Sequence, residues 1–418
     1  MEALDIFNLL VTGLFFIFYA YQFFYIFVGT IKKPKRFAKG GCNRYAVMIS
    51  ARNEEAVIGQ LLDSIHQQSY PCELVDVFVM ADNCSDQTAE VAKQHGARVY
   101  KRFSQTKVGK GYALEALFDQ VRAEFGHDRY DGYFVFDADN LLDPHYIEEM
   151  NRTFSAGYRV VTSYRNSKNY GSNWISAGYA LWFLREARHL NHARMVLGTS
   201  CAISGTGFLI SQEVIEKNDG WKHFLLTEDI EFTVDQVCQG KKIGYCHDAM
   251  LYDEQPVTFE QSWTQRLRWA KGYYQVFYHY GRRLLRGMFG KNWFSCFDMT
   301  MTIMPALFLS LLAVIVNGGA MVYSLLAHNG QMEALLFGAL RMLLQVYGTF
   351  FVIGLCTCLT EWKNILCSTK KKIRYLFTFP IFMLTYIPIS ISALFRRIEW
   401  KPITHSVALS IDQMKVEK

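Results

Sequence analysis

Two aspartates follow directly on an apolar stretch of the chain, at residues 133–139 (YFVFDAD). The stretch predicts a buried strand, in which side chains two positions apart point to the same side. Asp137 and Asp139 would then face each other at its end, and two carboxylates so close repel unless a cation lies between them. The pair therefore suggests a site for a metal ion, and a turn with two solvated acids is the alternative.

A second group, Thr227, Glu228 and Asp229 (TED), stands at the start of a predicted helix that runs to about Gln239. Acids in the first turn of a helix complement its dipole, which would be a sufficient reason for their presence. A carboxylate held ionised at this place is equally suited to act as a general base. The pattern leaves both interpretations open.

A third group lies in QRLRW, where Gln265, Arg268 and Trp269 share one helical face. Such a face could rest at the lipid headgroups. It could also bind a diphosphate through the guanidinium fork while the indole stacks on a sugar. The glycines of SGTGF (204–208), Gly205 among them, offer a close approach for a ligand.

Residues 43 to about 255 predict the α/β unit that positions these groups. Alternation of strands and helices builds a mostly parallel sheet with right-handed crossovers. Ligands of such sheets bind beyond the carboxyl ends of the strands, where Asn53, Asp82, Asp137 and Asp139 fall. The predicted strands are 45–51, 74–81, 97–102 and 133–139, and the predicted helices lie in 54–70, 85–96 and 110–125.

Two local details refine this expectation. Ser85 is the predicted N-cap of the helix at 85–96, and Gly96 is its predicted stop. The turn after the first strand, ARNEEA (51–56), contains no glycine, so the fingerprint of a dinucleotide-binding fold is absent.

The N-terminal stretch 6–31 has no charged residue and is long enough to cross a hydrocarbon core of ~30 Å. No small-residue cleavage site follows it, so it predicts an anchor helix. Five basic residues come next, in KKPKRFAKGG (32–41), whereas only Glu2 and Asp5 precede it. The positive-inside rule then predicts an outer N-terminus and a cytoplasmic domain.

Residues 256–294 are basic and aromatic, which predicts amphipathic helices along the membrane surface. Three crossings after the anchor would leave the C-terminus outside, yet the basic RRIEWK (396–401) prefers the cytoplasm. Either the last apolar stretch is re-entrant or one span is miscounted. The three apolar stretches are 296–327, 334–360 and 375–395, separated in the first case by HNGQME (328–333).

Composition narrows the class of protein. Of 418 residues, 51% are hydrophobic and 20% charged, which is apolar for a soluble chain of this size. The net charge of +6 comes from the flanks of the apolar stretches, and no basic surface with interleaved aromatics predicts a nucleic-acid partner. The ten cysteines show no metal-binding spacing, which favours a reduced compartment.

Taken in order, SARNEE, MADNCSDQT, KGYAL, DAD, TED and QRLRW resemble the processive, membrane-embedded family 2 glycosyltransferases. These are the cellulose, hyaluronan, chitin and poly-N-acetylglucosamine synthases. The resemblance implies a cytoplasmic GT-A domain joined to transmembrane and interface helices. The implied parts are an anchor (1–40), the GT-A domain (41–255), interface helices (256–294), transmembrane helices (295–396) and a tail (397–418).

The resemblance also implies a bound UDP-sugar. Asn53 and Glu54 would border the uridine, Asp82 would contact the base, and Lys110 would lie nearby. Mg²⁺ or Mn²⁺ would bridge the diphosphate, with Asp139 as its first ligand and Asp137 beside it.

For the reaction, the resemblance implies that Asp229 takes the proton from the acceptor hydroxyl, with Glu228 and Thr227 next to it. Sugar transfer would then be one inverting displacement without a covalent sugar–enzyme intermediate. The implied acceptor and pyrophosphate site comprises Gly205, Gln265, Arg268 and Trp269.

The end of the chain departs from the cellulose synthases, which continue into a regulatory domain. In EWKPITH (399–405), Trp400, Lys401 and His405 resemble the tryptophan–basic motif of hyaluronan-type synthases and would contact UDP. The alternative is a tail at the membrane interface with snorkelling side chains.

The leading functional expectation is polymerisation of a UDP-sugar, foremost UDP-glucose into a β-glucan of possible mixed linkage, with extrusion of the polysaccharide through the bilayer. A UDP-N-acetylglucosamine polymerase and a non-processive enzyme acting on a lipid acceptor are the alternatives within the family. A membrane transporter or scaffold that senses a nucleotide is the alternative from another class.

Overall fold

The computed structural model describes residues 2–327, 332–409 and 411–416. Within them, one eight-stranded sheet forms the centre of the α/β part. Its strands are β1 (Tyr45–Ala51), β2 (Val75–Asp82), β3 (Arg98–Arg102), β4 (Gly132–Asp137), β5 (Leu141–Leu142), β6 (Val160–Ser167), β7 (Phe208–Ser211) and β8 (Gly244–Asp253).

Helices cover both faces of the sheet and continue into the membrane part. The helices from the N-terminus to the end of the α/β part are α1 (Glu2–Ile31), α2 (Ile58–His66), α3 (Thr88–Gln94), α4 (Lys110–Phe125), α5 (Tyr146–Ser155), α6 (Trp174–Arg185), α7 (His192–Leu197), α8 (Gln212–Lys217) and α9 (Glu228–Cys238). Those that follow are α10 (Phe259–Gly287), α11 (Trp293–Ile303), α12 (Pro305–Ala327), α13 (Met332–Thr360), α14 (Thr369–Leu384), α15 (Tyr386–Phe395) and α16 (Ile411–Val416).

The strand order is β3-β2-β1-β4-β7-β6-β8-β5. The strands β1 to β4 are mutually parallel, which confirms the predicted arrangement, and β7 inserts antiparallel between β4 and β6. Ala51 pairs in register with Ala81, and Ser50 pairs with Asp137. The ends of β1, β2 and β4 therefore lie at one edge of the sheet, as the sequence predicts.

Alternating residues of β1 build two cores, one on each face of the sheet. Ala46 and Met48 pack with α4 on one face, whereas Val47 and Ile49 pack with α2 on the other. All four side chains are fully buried. Since burying a side chain of this kind contributes roughly 1.5–3 kcal/mol, the apolar run that predicts β1 also fixes its place in the centre.

Two local predictions are wrong. β4 ends at Asp137, so Asp139 lies in the turn beyond it and the same-side argument for a strand does not apply. Ser85 is not an N-cap, because α3 begins at Thr88 and the Ser85 N–H donates to Asn53 Oδ1 at 2.8 Å. Gly96, with a φ of +80°, follows the end of α3 as predicted.

Four helices are long and apolar enough to cross a membrane, by length and composition, within the described ranges: Ala3–Ile31, Phe308–Ala327, Met332–Thr360 and Thr369–Phe395. They overlap the four predicted apolar stretches, but the second span begins at Phe308 and not at 296, because the separate helix α11 (Trp293–Ile303) occupies the first part of that stretch. The predicted break at 328–333 lies mostly outside the described residues.

The last apolar stretch has the course expected of a re-entrant segment, the first of the two alternatives. Near the start of α14, Cys367 and Lys371 lie against Gly171 of the α/β part. After α15, the chain returns to the same part, where His405 binds Glu54. Both ends of the segment therefore lie on the side of the α/β part, as the re-entrant alternative predicts.

A buried arginine holds the bend of this segment, between α14 and α15. Arg266 donates to Phe382 O at 3.1 Å and to Thr385 Oγ1 at 2.6 Å, and its guanidinium carbon lies 4.3 Å from the centre of the Phe382 ring. The Arg266 side chain is fully buried. Backbone groups at a bend inside the hydrocarbon of a bilayer need hydrogen-bond partners from the protein itself. Arg266 supplies such partners for the bend between α14 and α15.

We expect Arg266→Ala to lower the apparent unfolding temperature of the purified chain in detergent. The loss of two charge-assisted hydrogen bonds and of the stacking should cost about 2 kcal/mol. Lys291→Ala, just beyond the end of the same helix, is the control, because Lys291 is exposed. Equal unfolding temperatures for the two variants would contradict the role of Arg266.

Candidate active site

Lys110, the first residue of α4, joins three motifs that are far apart in sequence. Its Nζ lies 2.5 Å from Asp137 Oδ1 and 2.9 Å from Gly205 O, and 3.9 Å from Glu228 Oε1. The Lys110 side chain is only 12% exposed. Burial opposes its charge, but Asp137 and Glu228 outweigh this effect and raise the pKa of Lys110. One ammonium group thus connects D-x-D, SGTGF and TED.

Asp229 is held from the other side of the same loop. Its Oδ2 accepts a hydrogen bond from the Gly205 N–H at 2.7 Å. Burial raises the pKa of Asp229, although hydrogen bonds from Ile230 and Gly205 and the charge of Lys110 lower it. Gly205 therefore turns its carbonyl to Lys110 and its N–H to Asp229, with a φ of +78° that a residue with a side chain rarely adopts.

Asp139 lies deeper than Asp137 and has other partners. It is 5% exposed, and its Oδ2 accepts from the Glu254 N–H at 2.8 Å. Burial opposes ionisation, but His405 and Lys168 lower the pKa of Asp139 below its usual range. The carboxylate is thus kept charged, and Asp137 reaches Lys110 instead of facing Asp139.

These two carboxylates fit part of a site for Mg²⁺ or Mn²⁺. Oxygen ligands are the kind that these hard cations prefer, and Mg²⁺ typically takes one or two carboxylates together with phosphate oxygens and water. No group of three or more His, Cys, Asp or Glu side chains close enough to hold an ion occurs among the described residues. Asp139 and Asp137 would therefore share an ion with phosphates of a ligand.

Four charged residues beside Asp139 were missed by the sequence reasoning. Arg165 donates through Nε to Asp253 Oδ2 at 2.6 Å, and Glu254 follows Asp253. Lys168 is 4% exposed, and its ammonium has no hydrogen-bond partner among the described residues. The sequence did contain a signal for these residues, namely acids at the end of an apolar strand. Asp253 ends β8 as Asp137 ends β4, and Glu254 follows directly.

The tail crosses the edge of the site. The Trp400 ring lies 5.2 Å from the Arg52 guanidinium carbon and 5.8 Å from that of Arg268. The N–H groups of Ser406 and Val407 donate to the Glu254 carboxylate at 2.8–3.1 Å.

The predicted tail residues differ in their contacts. His405 Nδ1 lies 3.0 Å from Glu54 Oε1, whereas Lys401 is exposed. Burial raises the pKa of Glu54 to about 7. Burial opposes charge on His405, but Asp139 and Glu54 raise its pKa to about 10. The charges of Asp139 and Glu54 therefore favour the protonated form of His405.

The two remaining nucleotide-site candidates serve structural contacts here. Asn53 has a φ of +57°, and its side chain holds the Ser85 N–H. Asp82 is 4% exposed and binds Arg102 at 2.5 Å. Both lie at the predicted edge of the sheet.

The helix that carries QRLRW approaches TED closely. A Cβ on Gly272 of α10 would clash with Thr227 Oγ1. Trp269 packs edge-on against Tyr179 with ring centres 5.7 Å apart, so its ring belongs to the core. Gln265 Oε1 is buried without a hydrogen-bond partner among the described residues. Arg268 extends towards Trp400 instead.

The sheet is mostly parallel, and it carries acids at or just beyond the carboxyl ends of β1, β2 and β4, where ligands of such sheets bind. Lys110 lies between these acids and TED, which contains the general-base candidate Asp229. The family described as "Glycosyltransferase like family 2" matches residues 43–272, more than half of the chain. The chain belongs to this glycosyltransferase family, and the prediction of an enzyme is confirmed. The processive subtype stays a prediction.

Two kinds of relative are similar in sequence. A β-monoglucosyldiacylglycerol synthase of Trichormus variabilis is 27% identical over 291 residues, 65% of this chain and 59% of the relative. A poly-β-1,6-N-acetyl-D-glucosamine synthase of Staphylococcus aureus is 24% identical over 235 residues, 55% of this chain and 54% of the relative. The chain thus spans little more than half the length of these curated relatives.

The fold is also found in a solved structure. The mannosyltransferase PcManGT from Pyrobaculum calidifontis, in complex with GDP-Man and Mn²⁺, aligns with a TM-score of 0.56. The alignment covers 91% of this chain and 97% of the other at 15% identity. The likeness confirms the predicted GT-A fold.

Gly205→Ala tests the junction between Lys110 and Asp229. The left-handed conformation should cost about 1 kcal/mol of stability with alanine. We expect sugar transfer to fall further than stability does, because the N–H that positions Asp229 would shift. Gly198→Ala is the matched control, since Gly198 has a φ of +75° and open space around its Cα.

Unfolding temperature and transfer rate are to be measured for both variants. We expect the two variants to lose the same amount of stability. Only Gly205→Ala should also lose sugar transfer. Unchanged transfer in Gly205→Ala would contradict the junction.

Proposed function

We propose that the chain is an inverting hexosyltransferase that moves a sugar from a UDP-sugar to an acceptor hydroxyl at the membrane surface. The observation that carries this proposal is the convergence of D-x-D, SGTGF and TED on Lys110. This convergence supports a cation-binding role for Asp137 and a general-base role for Asp229 around one space. Membership in the family and the GT-A fold support the use of a nucleotide sugar.

In this proposal Asp229 takes the proton of the acceptor hydroxyl while that oxygen attacks the anomeric carbon. One bond to the sugar forms as the bond to the diphosphate breaks, so the configuration inverts. Mg²⁺ or Mn²⁺ held by Asp139 and Asp137 would neutralise the departing diphosphate. Glu228, paired with Lys110, and Thr227 keep the start of α9 in place.

The nucleotide would bind along the ends of β1 and β2. Asn53, Glu54 and Asp82 would border the uridine. The indole of Trp400 and the imidazole of His405 would close over it, while Lys401 remains in solvent. The contacts of the tail with Arg52 and Glu54 support this placement.

The diphosphate and the acceptor would meet at α10. Arg268 and Gln265 would contact them from the QRLRW side, and Gly205 from the opposite loop. Trp269 would act by fixing this wall, since its ring is packed in the core. The catalytic domain would lie in the cytoplasm, as the basic residues after α1 predict.

For the acceptor we favour a diacylglycerol-type membrane lipid that receives one glucose. The relative named β-monoglucosyldiacylglycerol synthase supports this choice. Arg266 lies over the rings of Phe382 and Tyr386, so side chains fill the space between α10 and the re-entrant segment. UDP-glucose is then the proposed donor.

Chain growth is the second candidate function. The Q-x-x-R-W motif accompanies processive synthesis in the family and favours a β-glucan of mixed linkage, extruded as it grows. The relative named poly-β-1,6-N-acetyl-D-glucosamine synthase favours UDP-N-acetylglucosamine as donor instead.

The test is sugar transfer by the purified full chain in phosphatidylcholine nanodiscs containing diacylglycerol. Radiolabelled UDP-glucose, UDP-N-acetylglucosamine and GDP-mannose are supplied separately, with Mn²⁺, Mg²⁺ or EDTA. We expect label from UDP-glucose in the organic phase, and none with EDTA. Label in a glucanase-sensitive polymer would establish the second candidate, and no transfer from any donor would contradict both.

Asp229→Asn should abolish transfer, by at least about 100-fold, and leave UDP binding unchanged. The amide keeps the shape of the side chain but cannot accept the proton. Asp219→Asn is the control, because Asp219 is an exposed acid away from the site. The rate of sugar transfer and the affinity for UDP, by calorimetry, are to be measured for both variants. Loss of UDP binding in Asp229→Asn would contradict the assignment of Asp229 as the base.

The same assignment fixes the direction of the pH dependence. A general base works when deprotonated, and burial raises the pKa of Asp229. The transfer rate of the wild type should therefore fall with decreasing pH through a midpoint above 3.8, the ordinary value for aspartate. A rate that rises on acidification would contradict the base.

A further inference from the structure

A groove lies on α10, on a face other than the one that contacts TED. It has a volume of about 610 Å³ and is lined by the second half of α10 together with Met304, which directly precedes α12. Phe277, Leu285 and Phe289 make its walls apolar. Because the apolar span of α12 begins at Phe308, the groove lies where the hydrocarbon of a bilayer would begin.

A glycine gives this groove its depth. Gly281 is buried beneath it, and a Cβ there would meet ring atoms of Phe277 at 3.2–3.3 Å. A larger side chain at 281 would project into the space that the groove now provides. The apolar floor and walls suit an acyl chain.

Two guanidinium groups stand at the rim. Arg282 and Arg286 are four residues apart, one helical turn, and both are exposed. Neither side chain has an ion pair or hydrogen bond among the described residues, whereas Arg283, on another face, binds Asp235 at 3.0 Å. No acid lines the groove. Unpaired guanidinium groups of this kind suit a phosphate.

The geometry points to a binding site for one anionic phospholipid, with its phosphate on Arg282 and Arg286 and an acyl chain in the groove. The combination of apolar depth and unpaired positive charge at the hydrocarbon boundary matches that chemistry, and a neutral lipid would leave both arginines unused. Gly272 and Tyr273, nearer TED, belong to another part of α10. The lipid is therefore a bound component and not the acceptor.

The test is lipid retention by the full chain. Detergent-purified protein is incubated with equal amounts of phosphatidylglycerol and phosphatidylcholine, and bound lipid is counted by native mass spectrometry. We expect wild type to retain phosphatidylglycerol preferentially. Arg282→Ala with Arg286→Ala should reduce that retention by about tenfold or more, because each cation near a lipid phosphate contributes severalfold.

Three further variants make the result specific. Lys217→Ala with Lys242→Ala removes two exposed cations elsewhere and should change nothing. Arg282→Lys with Arg286→Lys keeps the charge and should restore most of the retention. Gly281→Leu fills the groove and should lower retention of both lipids.

Equal loss in the Lys217/Lys242 control would show diffuse attraction and overturn the site. So would full retention of phosphatidylglycerol by the double alanine variant, whose exposed positions make misfolding no explanation. If the variants of the groove lost glucosylation but retained phosphatidylglycerol as the wild type does, the groove would be assigned to the acceptor instead. Absence of glucosylation in every variant, with the retention pattern intact, would leave this site standing and count against the proposed function alone.

Discussion

Several carboxylates meet at the carboxyl edge of the sheet, and burying them is costly unless positive charge accompanies them. The Lys110 ammonium meets this need for D-x-D and TED, since it touches Asp137 and lies near Glu228. It also fixes the carbonyl of Gly205, whose N–H holds Asp229. Sheet, loop and helix α9 thus depend on one cation for their relative positions.

The helix α10 connects this centre to the membrane. One part of it approaches Thr227 closely at Gly272, and Arg266 reaches the bend of the re-entrant segment. Within QRLRW the two arginines therefore serve different partners, because Arg268 extends to Trp400 in the site. A single helix carries both the wall of the site and its attachment to the bilayer part.

Strand ends were predictable from the sequence because apolar runs are local signals, and D-x-D could be placed from them. TED could be placed at the start of a helix, where α9 indeed begins. Arg165 and Lys168 could not be placed in the site from the sequence. The acid that Arg165 binds, Asp253, ends β8 and lies 88 residues later in the chain. The N-cap prediction for Ser85 was wrong because its N–H donates to Asn53, which lies in another turn. The re-entrant course was left open, since hydropathy reports apolar length and not direction.

The short connection after α15 sets a limit on the whole molecule. Ten residues lead from Phe395 at the end of the re-entrant segment to His405 at the edge of the sheet. A fully extended chain of that length spans at most about 35 Å. While His405 stays bound to Glu54, the edge of the α/β part can therefore lie no farther than this distance from the end of α15.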